Sequence, residues 1–367
     1  MEKVRLEDVV KKTITGEWGT EIKNDINDIH VIRTADFNND GTINYENILK
    51  RNIKKDKINE KKLEIGDIIV EKSGGTDKNP VGRVVFFNKK DYLCLANNFT
   101  QVIRIKENIN SKYIFYNLLY LYKKGNTLKM FNKTTGIQNL QMKQFLIQKI
   151  NLVSLNEQNK IVNKLDKDQE IIDLRKKQIE ELDDFIKTQF VEMFENNDCE
   201  TKKWQDVFNT TTGKLDSNAM IEGGIYPFFT CAKKSFRINE YAFDCEALLL
   251  AGNNAAGVYD VKHYKGKFNA YQRTYVLTLK NEKWKYELFK LELEEKLDFL
   301  KSQSKGSNTR YLTMKILNDL TFKVPDLNLQ NKFAEFVKQI NKQKFILEKT
   351  LKETEELQES LMNKYFS

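Results

Sequence analysis

The chain is poor in the residues that catalysis, metal binding and crosslinking usually need. Two histidines occur in 367 residues, His30 and His263, neither with a partner pattern, so imidazole-based chemistry and histidine metal sites have little support. The four cysteines, Cys94, Cys199, Cys231 and Cys245, are scattered without CxxC spacing. They read as reduced thiols, with neither a zinc site nor a disulfide frame. Only three prolines are present beside abundant Lys, Asn and Ile, the composition of an AT-rich bacterial genome. No apolar run reaches the length of about 18 residues that a membrane span needs, and MEKVRLEDVVKK lacks the apolar segment of a signal peptide. A cytoplasmic protein without a membrane partner is expected. Nucleotide and catalytic motifs are missing too. GNNAAG at 252–257 continues Val-Tyr rather than Lys-Ser/Thr, so it is no phosphate loop. Asn79-Pro80 continues Val-Gly, Pro325-Asp326 has no Glu-x-Lys close behind, and Asp183-Asp184 reads as solvated charge on a helix.

What is present is a repeat. Residues 142–162 read MKQFLIQKINLVSLNEQNKIV and residues 314–334 read MKILNDLTFKVPDLNLQNKFA. At a constant offset of 172, Leu140 meets Leu312, Lys143 meets Lys315, Gln158-Asn159-Lys160 meets Gln330-Asn331-Lys332, and Phe194 meets Phe366. Both segments run on into apolar positions seven apart: Leu165, Ile172, Ile179, Ile186 and Met193 in one, Phe333, Ile340, Leu347, Thr354 and Leu361 in the other. Seven-residue spacing predicts coiled-coil helices, which two such stripes in one chain can satisfy by pairing antiparallel. A 38-residue helix would be about 57 Å long. Heptads do not require a shared Gln-Asn-Lys triplet, so tandem duplication explains the match.

The intervening parts echo more loosely. LEDVVKKTITG near the start resembles WQDVFNTTTG at 204–213, and GDIIVEKSGG at 66–75 resembles CEALLLAGNN at 245–254. NPVGRVVFF and NAAGVYDVK follow, then the strand-like ANNFTQVIRI and NAYQRTYVLTL. Each series closes with a helical stretch, YIFYNLLYLY or KYELFKLELEEKL, and a polar loop, FNKTTGIQNL or SQSKGSNTRYL. The aromatic stretch suits a core-facing helix better than a base-stacking platform. The fold class is α+β: two pseudo-repeated domains with mainly β cores, separated by two long antiparallel coiled-coil helices. The expected bounds are 1–155, 156–197, 198–326 and 327–367.

Net charge is +9 with pI near 9.0. Residues 157–194 hold seven Lys/Arg against ten Asp/Glu, and residues 329–366 seven against six, so the basic excess lies in the β-rich parts. That placement permits phosphate binding by them.

The order of these pieces, a strand ending in a Gly/Ser turn, a loop of the type KTTGIQNL or SKGSNTRYL, then LNEQNKIVNKL or LNLQNKFAEFV entering a long helix, resembles the specificity (S) subunit of type I restriction–modification systems. The resemblance covers nearly the whole chain. One junction departs from the Pro-rich turn of most relatives, reading NLVSLNEQ, while the other keeps PDLNLQ with Pro325. The resemblance implies a non-catalytic subunit of a bacterial defence system. Its two target-recognition domains, residues 1–155 and 198–326, would each read half of a split double-stranded DNA target. Its helices would set the spacing and dock two DNA adenine methyltransferase (M) subunits, and through them restriction (R) subunits. No cofactor is expected on this chain; S-adenosylmethionine, ATP and Mg belong to the partners. Two other readings stay open: the recognition subunit of a type IIB-like enzyme whose partner both cleaves and methylates, and a coiled-coil scaffold without DNA specificity.

Candidate DNA contacts fall in the polar loops. In the first domain they are Lys72, Ser73, Gly74, Thr76 and Lys78, then Arg83, Asn98 and Gln101, then Lys133, Thr135 and Gln138. In the second they are Lys233, Lys234 and Arg237, then Asn253 and Asn254, Gln272 and Arg273, and Lys305, Ser307, Asn308 and Arg310. Glycine lets a backbone approach phosphate, Ser, Thr and Lys add donors, and Asn, Gln and Arg can read base edges.

Overall fold

The computed structural model describes residues 2–90, 92–134, 136–194, 199–254, 257–306 and 309–367. The chain divides into two compact units, Met1–Leu174 with Thr350–Ser367, and Arg175–Lys349.

In the first unit the strands are β1 (Glu2–Arg5), β2 (Val10–Thr15), β3 (Asp28–Ile32), β4 (Leu49–Asn52), β5 (Ile68–Glu71), β6 (Ser73–Gly74), β7 (Val84–Phe86), β8 (Cys94–Ala96), β9 (Thr100–Ile105), β10 (Phe131–Thr134), β11 (Ile137–Leu140) and β12 (Lys149–Leu152). They form sheets of order β2-β9-β5-β7, β4-β3-β8, β10-β11-β6 and β1-β12. The apolar run Ile68-Ile69-Val70 makes β5 a strand buried on both faces. Ile68 and Val70 pack with the helix Ser111–Lys123, while Ile69 joins Ile14, Ile32, Val85 and Val102 on the other side. That helix carries YIFYNLLYLY and buries Tyr113 through Tyr120.

The second unit contains β13 (Glu200–Lys203), β14 (Phe208–Thr212), β15 (Tyr226–Phe229), β16 (Phe236–Ile238), β17 (Phe243–Ala251), β18 (Asn253–Asn254), β19 (Val261–Ala270), β20 (Thr274–Leu279), β21 (Arg310–Tyr311) and β22 (Thr321–Val324). Its main sheet has the order β14-β20-β17-β19-β15-β16. The pairings are those of the first unit. β17 pairs with β19 and β20 as β5 pairs with β7 and β9. The parallel contact of β3 with β8 recurs between β15 and β19. One strand, β19, thus takes the roles of both β7 and β8.

The two long helices are α1 (Leu155–Phe194) and α2 (Leu327–Phe366), 40 residues each. α1 begins in the first unit and ends in the second; α2 does the reverse. Within the first unit Leu165 and Ile172 of α1 are buried, as is Leu361 of α2, and Gln358 donates to Gln169 across the pair (3.1 Å). Within the second, Ile186, Phe333 and Ile340 are buried, and Lys344 pairs with Asp183 at 2.5 Å. Higher numbers of one helix meet lower numbers of the other in each unit, so the pairing is antiparallel. Asp183 is therefore an interhelix partner rather than only a solvated charge. The expected boundary at 197–198 falls outside the described residues.

The repeated junction now has a physical reading. Ser154 and Asp326, 172 apart, accept backbone N–H bonds at the two helix starts (Glu157 N–H to Oγ, 3.4 Å; Asn328 and Leu329 N–H to Oδ1, 2.9 and 3.0 Å). Gln158 and Gln330 are both buried. Gln158 donates to Val153 O (2.8 Å) and accepts from Asn110 N–H (2.9 Å); Gln330 donates to Pro325 O (2.9 Å) and accepts from Lys285 N–H (3.1 Å). The missing proline changes nothing here, because the bond uses the carbonyl and not the ring. The helix end that arrives in each unit is also tied down. Asn151 donates to Ser367 O (3.0 Å) in the first, and the Lys323 ammonium donates to Phe194 O (3.2 Å) in the second. Phe366 packs on Tyr113 and Phe194 on Phe333, with ring centroids 5.4 and 5.2 Å apart.

Candidate nucleic-acid interface

Each unit carries one rim where its polar loops meet. In the first, β11 pairs with β6, placing Gln138 opposite Gly74 and Asn139 opposite Ser73, whose hydroxyl donates to Asn139 Oδ1 (2.6 Å). Gly74 holds φ of 110°, a left-handed backbone that favours glycine at this tight entry. The loop beyond it turns on Thr76, whose Oγ1 accepts from Asn79 N–H (3.0 Å). Lys133 of β10 pairs with Asp77 at 3.0 Å, joining that strand to the turn beyond β6. The 97–100 turn is stitched on by Lys72 and Ser73 N–H bonds to Phe99 O (2.9 and 3.1 Å).

The second unit builds the same rim. β18 pairs with β21, placing Asn253 opposite Tyr311 and Asn254 opposite Arg310. With the 172-residue offset, Tyr311 stands where Asn139 does and Arg310 where Gln138 does. Gly252 N–H donates to Arg273 O (2.8 Å), as Lys72 donates to Phe99 O. Cys231 Sγ also reaches Arg273 O (3.4 Å), which brings in the loop that carries Lys233 and Lys234. A cleft lined by Lys233, Phe236, Arg237, Lys262 and Tyr264 adjoins that loop.

Most of the expected contacts therefore gather on these rims. Thr76, Lys78, Asn98, Lys133, Lys233, Lys234, Arg237, Gln272, Arg273, Lys305 and Arg310 are exposed, and Lys72, Ser73, Gly74, Gln101, Asn253 and Asn254 are partly covered. Burial, with the charge of Lys61 behind it, holds the Lys72 ammonium below its ordinary pKa. Arg237 and Arg310 each spend one N–H on a neighbouring carbonyl, Ile225 O and Lys301 O. Thr135, Ser307 and Asn308 lie outside the described residues.

Two expectations are corrected. Arg83 is not a free rim cation: its side chain is only 13% exposed. Its guanidinium pairs with Glu71 (2.7 Å) and donates to Thr34 O and Phe37 O (2.9 and 3.3 Å). A guanidinium with these partners has few donors left for a ligand. Gln138 is 2% exposed and accepts from Val81 N–H (3.1 Å), so it closes the base of the rim from inside. Gln101 is partly spent as well, accepting from the Thr15 hydroxyl (3.4 Å). Phe99, which is not among the expected contacts, is 45% exposed on the turn whose carbonyl Lys72 and Ser73 hold. It sits in LANNFTQVI, where an aromatic beside a strand suggests core; the signal that could have found it is its alignment with Arg273.

Among the described residues no three His, Cys, Asp or Glu side chains gather as a metal site, and no helix is long and apolar enough to cross a membrane. The family model for the type I restriction modification DNA specificity domain matches residues 1–184 and 196–357. A type I restriction enzyme EcoDI specificity subunit from Escherichia coli is 38% identical over 140 residues, covering 38% of this chain and 30% of the relative. The chain thus aligns with under a third of that relative's length. The type I restriction–modification S subunit from M. genitalium superposes with a TM-score of 0.62 at 16% identity, over 100% of this chain and 96% of that one. A chain from a structure of type I restriction–modification complex assembly and conformational transition gives a TM-score of 0.52 at 15% identity, over 99% and 97%. These two likenesses speak to the fold.

Proposed function

The chain belongs to the type I restriction modification DNA specificity family, and from that premise we propose that it is the DNA sequence-recognition subunit of a type I complex, reading a split duplex target with one unit per half-site. The observation that carries this reading is the doubled rim. The same hydrogen bonds, from residue 72 or 252 to residue 99 or 273 and across β6–β11 or β18–β21, present two different sets of polar and basic side chains. A single binding function would not need two such rims; a target with two unlike halves does.

The division of labour follows from side-chain chemistry. Lys78, Lys233, Lys234 and Lys305 supply cations for phosphate, which set affinity without sequence information. Asn98 and Gln272 carry an amide donor and acceptor, and Arg273 a fork of donors, that read base edges in the major groove. This chain binds and positions; methyl transfer and cleavage fall to its partners. Two adenine methyltransferase subunits would bring S-adenosylmethionine, and restriction subunits would bring ATP and Mg. Exposed apolar side chains on the long helices offer them docking surface: Ile171, Leu174 and Leu357 in the first unit, Phe345 and Ile346 in the second.

The test is a methylome. The chain is co-expressed with its methyltransferase partner in a host lacking adenine methylation, and modified adenines are mapped by long-read sequencing. The expected result is a motif of two short defined halves with a fixed gap, absent when this chain is omitted. A folded complex that adds no methylation would instead favour a protein scaffold.

A further inference from the structure

Each rim is closed by a turn whose backbone is fixed in the same way in both units. In the first, Thr100 N–H donates to Asn97 O (3.0 Å), Gly16 N–H to Thr100 O (3.4 Å) and Lys72 N–H to Phe99 O (2.9 Å). In the second, Thr274 N–H donates to Tyr271 O (2.8 Å), Gly213 N–H to Thr274 O (3.4 Å) and Gly252 N–H to Arg273 O (2.8 Å). Thr100 and Thr274 are both buried. Gly16 and Gly213 back the two turns so closely that a Cβ on either would lie 1.8 Å from a carbonyl oxygen, of Asn97 or of Ala270. A turn held at both ends can vary only at its tip. The tips are Asn98-Phe99 and Gln272-Arg273, and all four residues are exposed.

The first tip position is a carboxamide in both units. The second is Phe in one and Arg in the other. A phenyl ring 45% exposed on a turn costs apolar hydration that a polar residue there would avoid. The Arg273 guanidinium makes no hydrogen bond or ion pair among the described residues, so its whole donor fork is available.

We propose that residues 99 and 273 are the equivalent specificity-determining positions of the two units, Arg273 reading a guanine in one half-site and Phe99 reading the methyl group of a thymine in the other. Asn98 and Gln272 beside them match adenine. The chemistry is that of the major groove: the guanidinium fork fits guanine O6 and N7, the amide fits adenine N6 and N7, and an aromatic edge packs on the thymine methyl. This rests on the two-reader function above and assigns it to the two-residue tip of one turn per half-site.

The test uses the full chain in complex with its methyltransferase partner and duplexes carrying the methylated motif. Each thymine of one half-site is replaced in turn by uracil, which removes only the methyl group. Each guanine of the other is replaced by 7-deazaguanine, which removes only N7. One uracil position should weaken wild-type binding several-fold and leave Phe99→Ala unaffected. One deazaguanine position should weaken wild type by about fivefold or more and leave Arg273→Ala unaffected. Both side chains are exposed, so the melting temperatures of the variants should match wild type. The proposal is overturned if the variants weaken binding to all duplexes alike while keeping every base effect, which would make the tips backbone clamps. It is also overturned by a second half-site without guanine. Absence of any sequence-specific duplex binding by the wild-type complex would instead fail the two-reader function itself.

Discussion

The two units share registers and differ in what they place on them. β1 pairs with β12 from Glu2↔Leu152 to Arg5↔Lys149, and β13 with β22 from Glu200↔Val324 to Lys203↔Thr321, four pairs each at matching positions. Behind that common frame the chemistry has diverged. In the first unit Asn117, buried in the helix Ser111–Lys123, donates to Asn151 O (3.3 Å), and Asn151 holds the arriving helix end. In the second, the corresponding Glu292 accepts from Lys323 N–H (2.7 Å) and pairs with Lys296 (3.2 Å), and Lys323 holds the helix end. One latch is made of amides and the other of ions. The first unit also holds the arginine–carboxylate pairs Arg33–Asp36, Arg83–Glu71 and Arg104–Asp67, while the second runs β19 unbroken through the space of two strands. The comparison teaches that backbone bonds were retained after duplication, whereas side chains changed wherever a register could be kept without them.

The largest expected effect breaks the shared frame itself. Gly16→Ala or Gly213→Ala would push a methyl group into a backbone oxygen, and each should cost about 3 kcal/mol or more. Hydrogen exchange should show the loss confined to the unit that carries the change. Next come the two buried glutamines. Gln158→Ala and Gln330→Ala each strand an N–H and a carbonyl, at about 2–3 kcal/mol. Denaturant unfolding should give nearly equal losses; a much larger loss at Gln330 would mean that Pro325 matters after all.

A smaller effect separates the two latches by pH. Burial raises the pKa of Glu292 above the ordinary 4.5, more than its bonds to Lys296 and Lys323 lower it. A carboxyl raised in the folded state favours folding when protonated. That contribution is fully present below the unfolded value and is lost as pH rises through the folded one. Glu292→Gln removes the loss, so the stability of the second unit should fall less as pH rises above 4.5, with the first unit unchanged. Thermal melts across pH read this directly. The smallest effect on stability is at the rim. Lys78→Ala and Lys305→Ala, both exposed, should change stability by less than about 0.5 kcal/mol. Each should reduce the slope of log affinity against log salt by about one and weaken all duplexes alike.

Much of this was legible in the sequence. Heptads gave both helices, and the fixed offset of Gln158 and Gln330 announced a junction whose amide geometry only the fold explains. The succession of strand-like runs along the chain came from the matching echoes, whereas their order in the sheets needed the fold. What was not legible depends on partners distant in sequence. Arg83 looks like a free cation until Glu71 and the carbonyls of Thr34 and Phe37 are placed around it. In β11 Ile137 is exposed and Gln138 buried, the reverse of what polarity suggests, because Val81 N–H needs an acceptor there. Phe99 looks like core until the turn that carries it is pinned by Gly16 and Lys72.

On the proposed function, each unit independently reads one half of the target. The most direct measurement is the methylome of a chain in which residues 2–152 are replaced by a second copy of residues 200–324, joined at the matching register of β1–β12 and β13–β22. The expected result is a new target made of two copies of the second half-site, with the first half-site gone. Methylation at the original two-part target by that chain would contradict it.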